Sequence, residues 1–369
     1  VAVTATATDA SGVQGVELLV DGLALGAPAA PGPSGMSFDS ALFANGVHTL
    51  QVYAWDPFLN VGYSTSVSVT FSNASPGNPA QNGIWTGLLP SPIVSTASAL
   101  LPGGKVLLWE GQSFGYDARV WTPQFNTFFL PLAPSNLFCA GLEQMGDGRI
   151  FVAGGHIAGH TGTTTLNIFD PATEAWSVMP EMAFPRWYPT ATTLPDGRFI
   201  VLSGETNCND CDVTTPEIYD PTAKSWTQLT NSQFAFSYYP HAFVLPDGRL
   251  LVSSTIESST VSQVLDLATG TWTPIGGPAV EGSSAVMYLP GKVLKTGVGF
   301  DPDDPVMPSL ASAYVLDATQ PSPTWKAVAP MNSPLSYHNL TMLPDGTVLL
   351  TGGGPTTAAL DTANATMNP

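Results

Sequence analysis

The stretch "TTLPDGRFIVLSG" (residues 192–204) decides the fold: two short apolar runs are joined by a tight Asp-Gly turn, the pattern of a β-hairpin. The phrase returns as "ALLPGGKVLLW" (99–109), "EQMGDGRIFVAGG" (143–155), "FVLPDGRLLVSS" (243–254), "VMYLPGKVLKTG" (286–297) and "TMLPDGTVLLTGG" (341–353). A second phrase follows most of them: "NIFDPATEAW" (167–176), "EIYDPTAKSW" (217–226), "QVLDLATGTW" (263–272) and "YVLDATQPSPTW" (314–325). Its Trp is expected to close an outer strand and to pack between sheets.

At a period of roughly 43 to 55 residues, with about four strands per unit, the arrangement that covers both faces of every sheet is a β-propeller of kelch type. Six openings are counted, and the last unit runs into "LDTANATMNP" without its Trp phrase. The reading is a ring of seven blades when complete, with about six present and the C-terminal part missing. An intact ring of six, its last strand supplied by residues near "GIWTGLLPSPIV", is the alternative.

Composition supports an all-β chain. Of 369 residues only 10% are charged, 44% are hydrophobic, and 36 Gly and 34 Pro punctuate the apolar runs. The formal charge of -18 repels phosphate backbones and anionic membranes, so nucleic acid is excluded as a partner. No apolar run approaches the ~20 residues of a membrane-spanning helix. The opening "VAVTATATDASG" already alternates like a strand and reads as cut from a longer precursor.

Residues 1–72 carry four alternating runs with turn residues between them, a β-sandwich pattern; 73–82, "NASPGNPAQN", read as a linker; 83–369 hold the propeller repeats. The order "ATATDASGVQGVELLVDGLALG" (5–26) resembles the immunoglobulin-like modules of secreted bacterial enzymes. That resemblance implies a spacer or carbohydrate-proximal module without chemistry. Cys208 and Cys211 in "NCNDC" suit a small disulfide made in an oxidising compartment; half of a metal knuckle is the alternative, but no second Cys or His pair accompanies it.

In a propeller the inner strands surround the axis, so equivalent positions on successive blades meet. Nine residues before each hairpin glycine stand Ser95, Cys139, Tyr188, Tyr239, Gly282 and Tyr337. A thiol and a phenol thus take equivalent places on adjacent blades, which packing alone also explains. "FCAGLEQMGDGRIFVAGG" followed by "PRWYPTATTLPDGRFIVLSG" is similar to the copper-radical oxidases, the family of galactose and glyoxal oxidases, and the resemblance covers roughly 83–369. It implies that Cys139 and Tyr188 form a thioether cross-link, and that Tyr188 binds copper and carries a radical. It further implies oxidation of a primary alcohol or aldehyde, on a carbohydrate or a small molecule, with O2 reduced to H2O2; the cysteine pair and the immunoglobulin-like module point to a secreted protein of bacterial origin, and a monomer is expected.

The family also needs an axial tyrosine followed by a histidine on its last blade, and a histidine from a further domain. Tyr337 and His338 form such a pair, but on the sixth opening, so they read as the penultimate blade and only alternatively as ligands. Residues 1–369 alone are therefore expected to bind copper weakly or not at all and to be inactive. Near the place of the ring that stacks on the cross-link in the family stand Glu205 and Thr206, so no such ring is expected there. Tyr238, Tyr239, His241 and Arg186 are candidates for the substrate pocket. His156 and His160 are expected as exposed loop imidazoles, and His48 as structural. The competing class is a noncatalytic glycan-binding or adhesion protein; a sialidase-like hydrolase lacks its repeat signature here.

Overall fold

The computed structural model describes residues 1–72, 91–297 and 308–356, apart from 30–33, 39, 41, 42, 44, 45, 59, 112–114, 256–260, 278, 280 and 281. The linker and the C-terminal "LDTANATMNP" lie outside the described residues. The described fold is all-β.

Residues 1–94, 103–107 and 119–130 cluster as one compact unit, and 95–102, 108–118 and 131–369 as another. In the first, β1 (Ala2–Ala5) pairs with β4 (Ser34–Ser37). The larger sheet runs β3 (Leu23–Ala29), β2 (Gly15–Val20), β5 (Gly46–Trp55), β6 (Val61–Tyr63), and β7 (Val67–Phe71) also pairs with β5. Leu18, Val20, Leu50 and Phe71 form its core. Val3, Met36 and Phe43 pack against that core from the smaller sheet and its flank, giving the two layers that the alternation requires. His48 stacks on Phe71 and bonds Asp21, a structural role.

The hairpin repeats form blades. Blade one is β8 (Ser95–Leu100), β9 (Val106–Glu110), β10 (Ala118–Thr122) and β11 (Thr127–Phe129). Blade two is β12 (Gly141–Gln144), β13 (Ile150–Ala153), β16 (Leu166–Asp170) and β17 (Ala175–Met179), with the ribbon β14 (His156–Ala158) and β15 (Thr161–Gly162) in its middle loop. Blade three is β18 (Thr190–Thr193), β19 (Phe199–Leu202), β20 (Glu217–Asp220) and β21 (Ser225–Gln228). Blade four is β22 (Ala242–Val244), β23 (Leu250–Val252), β24 (Gln263–Asp266) and β25 (Thr271–Pro274). Blade five is β26 (Ser284–Leu289), β27 (Lys292–Thr296), β28 (Ala313–Asp317) and β29 (Lys326–Ala327). Of blade six the described residues include β30 (Ser336–Met342) and β31 (Val348–Gly354).

The repeat phrases have separate physical tasks. In three turns Asp147, Asp196 and Asp247 each accept the backbone N–H two residues on and hold the Arg side chain there, at 2.8 Å from Nε. These carboxylates shape turns and carry no chemistry. The closing tryptophans pack each blade on the one before: Trp226 covers the core of Phe151, Leu166 and Phe199, and Trp272 that of Ile200, Leu250 and Leu265. Their indole N–H groups reach Pro180 O at 2.7 Å and Ser232 O at 2.8 Å, while Trp176 reaches Pro131 O and Trp325 reaches Ser262 Oγ, both at 2.8 Å.

Candidate functional site

At or just before the start of the inner strand of four blades, the chain adopts a backbone conformation that L-residues avoid. Cys139, Tyr188, Tyr239 and Tyr337 have φ of 57°, 65°, 46° and 55°. Each costs about 1 kcal/mol or more relative to the right-handed region, and glycine would be the cheaper choice. The side chains that persist there are a thiol and three phenols. The Tyr188 N–H donates to Cys139 O at 2.9 Å, and the Tyr239 N–H to Tyr188 O at 3.0 Å. Three blades are thus laced at the same position, and their unusual backbone turns the three side chains toward one another.

Tyr188 sits in a cluster of rings. Trp187 lies 4.3 Å away at 47°, Tyr238 lies 4.6 Å away and nearly parallel at 14°, and Tyr239 meets it edge-on at 5.3 Å. The Cys139 thiol is within hydrogen-bonding reach of Tyr188 and Tyr239, and burial pushes its pKa up to about 12. At neutral pH it is therefore a thiol and a poor nucleophile, so it does not react unless it is oxidised. Burial, with the neighbouring Cys139 and Tyr188, also raises the Tyr239 phenol well above the usual tyrosine range.

Arg186, expected in the pocket, lies instead in the interior. Its guanidinium is fully buried, donates to Glu217 Oε2 at 2.9 Å, and donates to the carbonyls of Ser203 and Thr215, each at 2.7 Å. It anchors the segment that presents Trp187 and Tyr188. Gly154, at φ 79°, lies against this segment, where a Cβ would collide with the Arg186 carbonyl. His156 also departs from expectation: it is 8% exposed, packed between Phe138 and Trp187, with Nε2 2.8 Å from Gly159 O. His160 does lie at the surface, its side chain 48% exposed.

A ring does stack on Tyr188, from a place that the sequence reading did not point to. The loop of Glu205 and Thr206 supplies none, but Tyr238 arrives from the next blade, its hydroxyl donating to Glu205 Oε1. Cys208 and Cys211 form a disulfide, with Cα atoms 5.3 Å apart, in the same loop. The Asp210 N–H donates to Glu205 Oε1 at 2.8 Å. The neighbouring Asp212 carboxyl is pushed up to about 7 by burial and by the charges of Glu205 and Asp210.

A cavity of about 750 Å3 runs among the inner strands, lined by Ser95, Gly141, Thr190, Tyr239, Asn339 and Thr351 among others. Of the residues proposed for a pocket, Tyr239 borders it. His241 instead bonds Ser254 Oγ through Nδ1 at 2.9 Å. His338 is buried, with Nε2 2.6 Å from Thr296 Oγ1 and no partner for Nδ1 among the described residues. Lys295 is also buried, its Nζ 3.2 Å from Ser253 O and 4.3 Å from the Trp325 ring centroid.

Burial, joined at His241 by the charges of Lys295 and His338, pulls both histidines from the ordinary 6.5 down to about 4. The fold therefore favours their neutral forms. Their contribution is complete above pH 6.5 and is lost as pH falls toward 4, by up to about 1.4 kcal/mol per pH unit for the buried His338. Glu143 and Asp212, both raised to about 7, act in the opposite sense. The expected result is read by difference: His338→Gln should flatten the loss of urea stability between pH 6.5 and 4, and an unchanged slope would refute it.

The Kelch motif family matches residues 145–183, and the bacterial Ig domain family matches residues 1–52. Galactose oxidase of Gibberella zeae is 26% identical over 309 residues, covering 73% of this chain and 44% of the relative. The chain is a galactose oxidase homologue. It spans less than half the length of that relative. An F-box/kelch-repeat protein of Arabidopsis thaliana is 24% identical over 282 residues, 66% of this chain and 57% of its own. A solved fungal alcohol oxidase in complex with copper shares the fold, with a TM-score of 0.65 and 19% identity over 77% of this chain and 64% of its own.

For copper, the donor set of this galactose oxidase homologue is partial. Tyr188 and Tyr239 offer phenol oxygens beside a thiol, but the described residues contain no group of three or more His, Cys, Asp or Glu able to hold a metal ion. Nε2 of His338 is engaged by Thr296 and Nδ1 of His241 by Ser254. A thiol and two phenols are gathered here, while the described residues hold no gathered imidazole set of the kind that copper favours.

Proposed function

We propose that the propeller carries the radical half of a secreted copper-radical oxidase that converts a primary alcohol or aldehyde, on a carbohydrate or a small molecule, while O2 is reduced to H2O2. The observation that carries this reading is the Cys139 thiol beside the Tyr188 phenol on adjacent blades, both held at positive φ and joined through their backbones. The homology to galactose oxidase supports it.

The Cys139 thiol is within hydrogen-bonding reach of the Tyr188 phenol, and the cross-link would join its sulfur to the ring carbon next to that oxygen. Joining the two forms one S–C bond and releases the S–H and C–H hydrogens as two protons and two electrons, which O2 would take up in the presence of copper to give H2O2. Sulfur would then donate electron density to the ring, which lowers its oxidation potential, and the Trp187 and Tyr238 rings pack against it. Tyr188 would be the ligand that this chain offers to copper, and copper with the ring would supply two-electron redox chemistry.

The test is tryptic mapping of the full-length gene product after aerobic exposure to copper. A linked Cys139 and Tyr188 peptide lighter by two hydrogens is expected; both peptides recovered separate and unmodified would sink the oxidase reading. A second reading, a binding propeller without chemistry, is favoured by the lack of a gathered imidazole set among the described residues and by the likeness to F-box/kelch-repeat proteins. Tight, stoichiometric copper binding by residues 1–369 would count against it and would promote Tyr337 and His338 to ligands.

A further inference from the structure

Tyr238 stands one residue before the aligned position of blade four, yet its ring covers the face of Tyr188, centroids 4.6 Å apart. Its hydroxyl donates to Glu205 Oε1. Glu205 is fully buried and is fixed beside Trp187 by reciprocal backbone bonds of 2.9 and 2.7 Å. Oε1 also accepts the Asp210 N–H, and Oε2 lies 2.9 Å from Nδ1 of the half-exposed His160. A continuous path thus leads from the face of Tyr188 to water: ring, phenol, buried carboxylate, imidazole.

A phenol that loses an electron becomes a strong acid, so its oxidation is easy only where a base already accepts its hydrogen bond. A buried carboxylate is such a base, and the parallel ring contact gives the overlap through which the electron can move. Tyr238 meets both requirements.

We propose that Tyr238 is a second redox-active ring of the site, a one-electron donor to Tyr188 oxidised while Cys139 is still unlinked, with Glu205 as the base that takes its proton. In this step the Tyr188 phenoxyl radical gains one electron and becomes a phenolate. The Tyr238 phenol gives up that electron and passes its proton to Glu205 Oε1, which leaves a Tyr238 phenoxyl radical and a neutral Glu205 carboxyl. Atoms, charge and electrons balance with no further reactant. His160 ties the carboxyl to solvent, so the proton exchanges with water. The role rests on the oxidase reading above, because it takes Tyr188 as the oxidised ring; the properties of Tyr238 and Glu205 are measured without it.

The experiment uses the metal-free 369-residue chain, oxidised by a flash of photogenerated tris(bipyridine)ruthenium(III) and freeze-trapped for electron paramagnetic resonance. A tyrosyl signal is expected in the native chain and in Tyr188→Phe, with one component lost in Tyr238→Phe. In Glu205→Gln that component should form at least about tenfold more slowly, since the base is gone. It should also lose the solvent deuterium isotope effect seen in the native chain, and Glu205→Asp should restore part of both. A Tyr238→Phe spectrum identical to native, or native rates in Glu205→Gln, overturns the proposal. Should Glu205→Gln fail to fold, the Tyr238→Phe difference and the isotope effect of the native chain decide it. No copper and no cross-link enter this measurement, so its failure leaves the oxidase reading standing, and an absent cross-link leaves this result standing.

Discussion

Cys139→Ser is expected to leave the fold intact and to remove both the linked peptide and oxidase turnover in the copper-loaded full-length protein. The substitution is nearly isosteric, serine tolerates the φ of 57° no worse than cysteine, and the thiol that it replaces is already protonated, its pKa raised to about 12 by burial. Local packing and charge therefore stay almost unchanged. What disappears is the ability to form an S–C bond to Tyr188. Turnover should fall by at least about a thousandfold, equivalent to ~4 kcal/mol of transition-state stabilisation. Peroxide formation by the variant within tenfold of the parent would show that no thioether is needed.

Arg186→Leu is expected to destabilise the propeller by roughly 3–5 kcal/mol, because it leaves the buried Glu217 carboxylate without its cation. The carbonyls of Ser203 and Thr215 lose their donors at the same time, and each orphaned buried acceptor adds to the loss. Arg186→Lys should recover only part of the stability, since a single ammonium cannot span the three acceptors that the planar fork reaches. Urea unfolding followed by tryptophan fluorescence measures this. A loss below about 1 kcal/mol, the range of exposed ion pairs, would show that the pair does not anchor the Trp187 and Tyr188 segment.

Much of the architecture could be read from the repeat, because hairpin turns and closing tryptophans recur with a fixed relation to the strands. The same regularity made Cys139, Tyr188 and Tyr239 neighbours on paper, and the backbone bonds between them agree. The context of the remaining polar residues depended on contacts between blades and loops that no spacing encodes. Arg186 beside Trp187 reads equally well as a pocket lining or an anchor, and only Glu217, on β20, settles which. His156 in a Gly-rich loop gave no sign that Phe138 and Trp187 would bury it. Tyr238 was visible as an aromatic beside the axial place, but neither its stacking on Tyr188 nor its bond to Glu205, which comes from another blade, is encoded in the spacing.

The indole bonds of the closing tryptophans all point one way. Trp176, Trp226, Trp272 and Trp325 each reach back to a segment made earlier in the chain, at Pro131, Pro180, Ser232 and Ser262. A wedge is therefore sealed only after the outer strand of its successor has been synthesised, so during translation the newest blade always waits unlatched. Because chains emerge N-terminus first, at about 5–20 residues per second, a repeat of roughly fifty residues takes seconds to appear. That interval gives each blade time to settle before its latch arrives. Loss of one tryptophan should accordingly loosen the preceding wedge more than the blade that carries it, a directional coupling like that of a zip.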